Sequence, residues 1–168
     1  MKTYKEIVES NIPVNKTLSF IKKAHTGQKY GNDPYWTHPK AVADKGKEIF
    51  GSKFNNDAYT AALLHDTIED TIYGEKELLE TGYSERVLDA VLLVTKDKTL
   101  SYDGNIKKII ASGNRIAMMV KFADNYMNYT GDKSSWPEEK RLKSQAKYKK
   151  SMQDLSKALG LKIEIPEV

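Results

Sequence analysis

The chain has 168 residues, of which 39% are hydrophobic and 30% charged, a length and composition that suit one globular domain with a core of its own. Cysteine is absent, which excludes disulfide bonds, thiol catalysis and cysteine-ligated zinc. Lysine and arginine number 27 against 23 acidic residues, so the formal net charge is +4. This mild excess favours an anionic partner, and without a dense arginine block a small polyphosphate is favoured over nucleic acid.

The chain begins with MKTYKEIVESNIPVNKT, which lacks the apolar stretch of a signal peptide. No apolar run approaches the roughly 20 residues that cross a membrane. We therefore expect a cytoplasmic protein that does not associate with a membrane.

Helical periodicity dominates the pattern of apolar residues along the chain. In chain order, the first two predicted helices run around Leu18 to His25 and from Pro39 to Phe50. The third has its cap at Asn56 or Asp57 and runs through NDAYTAALLHDTIED. The next four cover GEKELLETG, SERVLDAVLLVT, SYDGNIKKIIAS and NRIAMMVKFADNYMNYT, and the last runs from Pro137 to Gly160. The segment GQKYGNDPYWT is rich in Gly, Asn and Pro and is predicted to be an irregular loop. The alternating tail KIEIPEV has no second strand to pair with, so we expect it to be extended. The sequence thus predicts one all-α domain, residues 1–168, of about seven or eight helices.

The stretch LLHDTIEDT, residues 63–71, brings one histidine and three acids up against an apolar run of Ala and Leu. If one helix continues through it, His65 stacks on Glu69 and Asp66 stacks on Asp70. Neighbouring carboxylates repel one another unless they are solvated, paired or bound to a cation. Histidine and carboxylate ligands suit manganese, iron or zinc. A divalent metal is one explanation of this stretch, and an ordinary surface or core His–Asp pair is the other.

Asp124 interrupts the strongly apolar stretch AMMVKFADNYMNY. A buried carboxylate must be paired or bound to a metal, so the partner of Asp124 could be a cation, a lysine or a helix N-terminus. His38 stands at a predicted helix start, either as a ligand or as a capping or surface residue. Together His38, His65, Asp66 and Asp124 would supply two nitrogen and two oxygen ligands and leave positions open for water, as a hydrolytic metal site requires.

Four segments, AHTGQKYGNDPYWTHPKAVA, AALLHDTIEDT, VTKDKTL and VKFADNYMN, resemble in this order the RelA/SpoT-type hydrolase domains of the HD superfamily. The likeness spans residues 18–130, and THP, HDTIEDT and FAD in this order are far more specific than a lone His–Asp pair. The resemblance implies a helical HD-domain bundle. It also implies a stand-alone small alarmone hydrolase, similar to the metazoan SpoT homologues.

Enzymes of this family remove the 3′-diphosphate from guanosine tetra- and pentaphosphate with a single manganese ion, although other divalent metals are possible. The resemblance assigns metal binding to His38, His65, Asp66 and Asp124, catalysis beside the activated water to Glu69 and Asp70, and substrate binding to Lys29, Lys98 and Asn128. The positive net charge suits so anionic a nucleotide. His25, the remaining histidine, is expected to be structural or to support a ligand.

The sequence departs from the family directly after its last aspartate. The family pattern resembles ADRLHNMRT, whereas this chain has ADNYMNYTG, so that Asn125 and Met127 replace an arginine and a histidine. Because residues expected to contact the nucleotide are altered, two alternative functions stay open. One is an HD phosphohydrolase of another nucleotide, such as NADPH at its 2′-phosphate or a deoxynucleotide. The other is a nucleotide-sensing binding module, suggested by the lysines of KRLKSQAKYKK, which would equally suit the solvated face of the last helix.

Overall fold

The structure is a computed structural model that describes residues 12–168, so most of the N-terminal segment quoted above lies outside the described residues. Helices make up most of the described chain: α1 (Val14–Ala24), α2 (Thr37–Phe50), α3 (Asn56–Leu64), α4 (Thr67–Asp70), α5 (Glu75–Thr81), α6 (Glu85–Val94), α7 (Tyr102–Ser112), α8 (Arg115–Thr130) and α9 (Glu138–Leu159). A 3₁₀ turn, Gly51–Lys53, follows α2. The all-α prediction is confirmed, and the short α4 results from a break in one predicted helix.

Side-chain caps explain where several helices begin and end. Four helices start at a residue whose side chain accepts the backbone N–H three residues on, namely Asn55, Ser84, Ser101 and Asn114. Glycines in the left-handed region end three helices, at Gly82, Gly113 and Gly160. The predicted cap of α3 is wrong by one residue, because Asn55 and not Asn56 accepts the N–H of Ala58.

The second helix begins two residues before the predicted Pro39. Thr37 is its first residue and His38 its second, with Pro39 still inside the first turn. Proline is tolerated there because the first N–H groups of a helix have no partner within it. His38 is therefore held in a helical turn rather than in front of one.

The loop between α1 and α2 is more regular than predicted. Strand β1 (Lys29–Tyr30) pairs antiparallel with strand β2 (Asp33–Pro34), with Tyr30 opposite Asp33. Gly31, at φ +61°, lets the chain reverse between them. This small hairpin places Tyr30 and Tyr35 beside the first turn of α2.

The helix predicted through LLHDTIEDT is interrupted at its histidine. Helix α3 ends at Leu64, and His65 and Asp66 form a turn before α4 begins at Thr67, with Asp66 at φ −98° and ψ 0°. The His65 N–H bonds to the carbonyl of Ala62 in a tightened turn, whereas the Asp70 N–H still bonds to Asp66. The prediction of one continuous helix is wrong, although Asp66 and Asp70 remain one turn apart.

Helix α8 lies at the centre of the bundle, where it packs against α2, α3, α6, α7 and α9. Phe54, Leu63, Leu64, Val91, Phe122 and Met152 are among the fully buried core side chains. The tail after Gly160 forms neither a helix nor a strand, and Leu161, Ile163 and Ile165 pack on the core. Within residues 12–168, none of the helices has both the length and the apolar character to cross a membrane.

Candidate metal centre and adjoining cavity

The four predicted metal ligands come together from three parts of the chain and are all buried. His38 comes from α2, His65 and Asp66 from the turn between α3 and α4, and Asp124 from α8. The Nε2 atom of His38 lies 3.1 Å from Asp124 Oδ1 and 3.9 Å from Asp66 Oδ2. The Nε2 atom of His65 lies 3.0 Å from Asp66 Oδ2 and 3.5 Å from Asp124 Oδ1.

The orientation of His65 suits a metal ligand. Its Nδ1 atom lies 2.6 Å from the carbonyl oxygen of Ala62, so Nδ1 carries the proton and donates it. The Nε2 atom is then turned toward the two carboxylates, and it is buried without a well-aligned hydrogen bond. When Nε2 is deprotonated, its lone pair lies among carboxylate oxygens, where it could bind a divalent cation. The donor set of two imidazoles and two carboxylates therefore fits a divalent transition metal.

Strong electrostatic coupling holds these groups in the free chain. Burial would lower the pKa of His65, but the carboxylates of Asp66 and Asp124 outweigh burial and raise that pKa well above its usual value. Burial likewise opposes ionisation of Asp124, yet Lys121, His38 and His65 bring its pKa well below the usual range. The protonated form of His65 is thus favoured in the free chain, and metal binding would release its proton.

Two side chains of α8 support Asp124 from its own helix. The Nζ atom of Lys121 donates to Asp124 Oδ2 at 3.1 Å, and Nδ2 of Asn128 donates to Asp124 Oδ1 at 3.0 Å. A lysine was one of the partners of Asp124 that the sequence left open, and Lys121 is that partner, in addition to the histidines. Asn128, predicted to bind substrate, lies at the site, with its amide nitrogen committed to a predicted ligand.

Glu69 and Asp70, the predicted catalytic acids, form a second carboxylate group with Asp66 at the open side of the site. Burial first, and then Asp66 and Asp70, raise the pKa of Glu69. A carboxylate with a raised pKa binds a proton more strongly than an ordinary one. Glu69 thus lies one turn beyond the predicted ligands with a raised pKa, and its catalytic role stays a prediction.

The hydroxyl of Tyr35, a residue that the sequence analysis did not single out, contacts the carboxylates of both Asp66 and Asp70. This hydroxyl donates to Asp66 Oδ2 at 2.8 Å and lies 3.4 Å from Asp70 Oδ2. Burial and the carboxylate of Asp66 raise the pKa of Tyr35, so the hydroxyl stays protonated as a donor. Its position three residues before His38 was the available sequence signal.

His25 lies behind this pair rather than among the ligands. Its Nδ1 atom is 2.8 Å from Oε1 of Gln28, whose amide nitrogen donates to the carbonyl of Asp70 at 2.7 Å. The His25 ring also lies 4.9 Å from the Tyr35 ring. His25 is thus linked to Asp70 through Gln28 and lies against Tyr35, and its supporting role stays a prediction.

The predicted substrate-binding lysines both lie on exposed segments. Lys29 is in β1 next to Tyr30, whose ring stacks on His38 at 4.5 Å and whose hydroxyl lies 3.4 Å from Asn128 Oδ1. Lys98 is in the turn after α6, two residues beyond Lys96. Its role stays a prediction.

A cavity of about 210 Å³ adjoins the predicted metal site on the side of Glu69. Lys96, Tyr102 and Lys121 contribute to its walls together with Glu69. Lys96 belongs to the VTKDKTL motif, and Lys121 precedes Asp124 by one helical turn. Both lysines therefore lie in or beside motifs that the sequence analysis identified. Only the folded chain shows that they share one cavity.

This helical bundle with His and Asp side chains converging from separate helices is typical of a metal-dependent hydrolase domain. A family model described as HD domain matches residues 35–145. The chain belongs to the HD domain family. The match includes all four predicted ligands and both predicted catalytic acids.

Curated relatives carry the name guanosine-3′,5′-bis(diphosphate) 3′-pyrophosphohydrolase. The protein from Haemophilus influenzae is 35% identical over 127 residues, which are 70% of this chain and 18% of the relative. The protein from Aquifex aeolicus is 34% identical over 140 residues, 77% of this chain and 19% of the relative. The chain therefore spans less than a fifth of the length of these relatives.

One solved structure matches nearly the whole chain. It is described as "A metazoan ortholog of SpoT hydrolyzes ppGpp and plays a role in starvation responses" and superposes with a TM-score of 0.61. The match covers 96% of this chain and 99% of that one at 21% identity. At that identity the likeness establishes a shared fold.

Proposed function

We propose that residues 1–168 form one HD-type domain that hydrolyses the 3′-diphosphate of guanosine tetra- and pentaphosphate, giving GDP or GTP and pyrophosphate, with one divalent cation, manganese. The observation that carries the proposal is the convergence of His38, His65, Asp66 and Asp124 beside Glu69 and Asp70. The names of the curated relatives support the nucleotide. The cytoplasmic location stays a prediction.

The reaction needs attack of water on the phosphorus atom bonded to the 3′-oxygen. A new phosphorus–oxygen bond forms, the bond to the 3′-oxygen breaks, and its electron pair stays on that oxygen, which takes up a proton. Glu69, with its raised pKa, can accept the proton that water loses and return it to the 3′-oxygen. Pyrophosphate then leaves with the oxygen of the attacking water.

A divalent cation held by the two histidines and two aspartates would supply charge neutralisation for the phosphate and a lowered pKa for the water. The protein's own groups position that chemistry. Lys121 and Asn128 fix the carboxylate of Asp124, and Tyr35 fixes that of Asp66. Asp70 remains next to Glu69, where its charge contributes to the raised pKa of the glutamate.

A substrate panel tests the proposed nucleotide. Purified protein with manganese should release pyrophosphate from guanosine tetraphosphate, and faster than it releases phosphate from NADPH or deoxynucleotides. Phosphate release from NADPH in the absence of any action on guanosine tetraphosphate would instead support an HD phosphohydrolase of another nucleotide. Absence of turnover and of metal binding would favour the nucleotide-sensing module.

The Glu69→Gln variant tests the catalytic assignment. It should retain manganese, because Glu69 is not among the four predicted ligands, and lose roughly 10²- to 10⁴-fold in kcat, the usual contribution of a general base. Asp66→Ala, by contrast, should lose metal and turnover together. Metal content by atomic emission and initial rates separate the two variants, and near-normal turnover by Glu69→Gln contradicts the assignment.

A further inference from the structure

The cavity beside Glu69 has both apolar and basic walls. Leu93, Val94 and Ile109 contribute apolar side chains to its walls, and Lys96 and Lys121 contribute ammonium-bearing side chains. Lys121 is largely shielded from water, so its charge acts strongly on a nearby anion, whereas Lys96 is exposed.

A third lysine reaches the same region from α9. The Nζ atom of Lys147 lies 4.6 Å from the ring centroid of Tyr102 and 4.6 Å from that of Tyr148. The Nζ atom of Lys121 lies 5.8 Å from the same Tyr102 ring. The aromatic rings favour cations over their faces and so hold two ammonium groups near each other.

The lysines repel one another in the free chain. The pKa of Lys147 is lowered, first by burial and then by the charges of Lys121 and Lys96. Lys121 is paired with Asp124, whereas within residues 12–168 neither Lys96 nor Lys147 forms an ion pair with a carboxylate. The cluster therefore carries excess positive charge that a bound anion would offset.

The turn that carries Lys96 is fixed to the bundle. The side chain of Asn105 accepts the N–H of Asp97 at 2.9 Å and donates to the carbonyls of Asp97 at 3.1 Å and Ser101 at 3.0 Å. The backbone next to Lys96 is thus ordered before any ligand binds, which reduces the entropy lost on binding.

We infer that this cavity binds the terminal phosphate of a diphosphate ester, and that Lys96 and Lys147 select a diphosphate ester over a monophosphate ester. The inference rests on the proposed phosphohydrolase function. A diphosphate has two phosphorus centres, so one can lie at the metal ligands and Glu69 while the second lies among the lysines. A single phosphate cannot occupy both positions.

Direct binding tests this without turnover. Calorimetric titrations use inorganic pyrophosphate and orthophosphate, with the metal-free protein and again after one equivalent of manganese. Pyrophosphate should bind the wild-type protein more tightly than orthophosphate in at least one arm. Lys96→Gln and Lys147→Gln should each weaken pyrophosphate binding roughly five- to tenfold, as expected for a charge-assisted hydrogen bond. Arginine at either position should restore most of the affinity.

The matched control is Lys143→Gln, one turn earlier on α9. Lys143 is exposed like Lys147, but unlike Lys147 it does not lie over the ring of Tyr102, which lines the cavity. Its pyrophosphate affinity should stay within about twofold of the wild-type value. Three results overturn the inference: no pyrophosphate binding in either arm, equal affinity for both anions, or cavity variants that behave like the control.

Kinetics separate this inference from the proposed function. With guanosine 3′,5′-bis(diphosphate), the Lys96→Gln and Lys147→Gln variants should lose roughly tenfold in kcat/KM, and with the 3′-monophosphate counterpart much less. If neither substitution changes kcat/KM for the bis(diphosphate), the role of the two lysines is overturned and the proposed function is not. Lysine-dependent pyrophosphate binding without hydrolysis of either nucleotide overturns the proposed function alone.

Discussion

The carboxylate of Asp124 is stabilised in the free chain by groups of two kinds. Lys121 and Asn128 donate to it from its own helix, and the imidazoles of His38 and His65 face it from elsewhere. Removal of any one of these groups would leave a buried charge less well compensated, which is costly in a protein interior. A metal ion would take over the role of the positive charge on His65 while Lys121 stays in place.

We expect Tyr35 to affect metal affinity because its hydroxyl orients the carboxylate of Asp66, a predicted ligand. The Tyr35→Phe substitution removes the 2.8 Å hydrogen bond to Asp66 Oδ2 but keeps the ring, so the manganese affinity should fall roughly tenfold. Isothermal titration with manganese measures the effect. Tyr59→Phe is the control, because Tyr59 makes a similar 2.6 Å bond to Asp44, a residue outside the predicted ligand set. Equal affinities of the two variants would contradict the positioning role.

The break between helices α3 and α4 separates two predicted metal ligands from the two predicted catalytic acids. His65 and Asp66 stand in the turn where the helix tightens, and Glu69 and Asp70 lie on the short helix that follows. The periodicity of LLHDTIEDT predicts one uninterrupted helix, since all its residues tolerate helical backbone. The turn arises because His65 bonds to the Ala62 carbonyl while its ring faces the other ligands, a tertiary constraint.

Helix α2, which carries His38, packs against Phe54 through Gly46. A Cβ atom at Gly46 would lie 2.3 Å from Cζ of the fully buried Phe54 ring. Helix propensity alone favours alanine over glycine by about 1 kcal/mol. Overpacking costs about 1–3 kcal/mol, so Gly46→Ala should lower the free energy of unfolding.

Urea denaturation measures this free energy for the wild type and for Gly46→Ala. The double variant Gly46→Ala with Phe54→Leu, compared with Phe54→Leu alone, should show a smaller loss because the ring is no longer in the way. A single variant more stable than the wild type would show that propensity outweighs the contact.

For the whole molecule, the predicted ligands connect α2, the α3–α4 turn and α8. A metal that binds only the folded chain stabilises it by RT ln(1 + [L]/Kd), about 2.7 kcal/mol at a hundredfold excess over Kd. For a chain of this size that corresponds to an increase in Tm of roughly 5–10 °C. Thermal scans with and without manganese should show the shift for the wild type and lose it for Asp124→Asn. An equal shift in both proteins would contradict Asp124 as a ligand.

Much of this protein was determined by the sequence itself. Helical periodicity, polar caps and terminal glycines predicted the helices to within a few residues, because these signals act over one or two turns. The order of THP, HDTIEDT and FAD predicted the ligand set, since each motif pairs its chemistry with an apolar helical face. His25 was likewise placed outside that set.

Only the tertiary structure decided how distant groups meet. Lys96, Lys121 and Lys147 belong to three segments of different pattern, and only the packing of α7, α8 and α9 brings them around Tyr102. Lys147, from the segment KRLKSQAKYKK, is exposed as expected for a solvated helix face, but it also lies over two tyrosine rings, which the sequence pattern does not show. Local sequence signals report on bonds within a turn or two, whereas charge clusters and cavities depend on contacts between residues far apart in the chain.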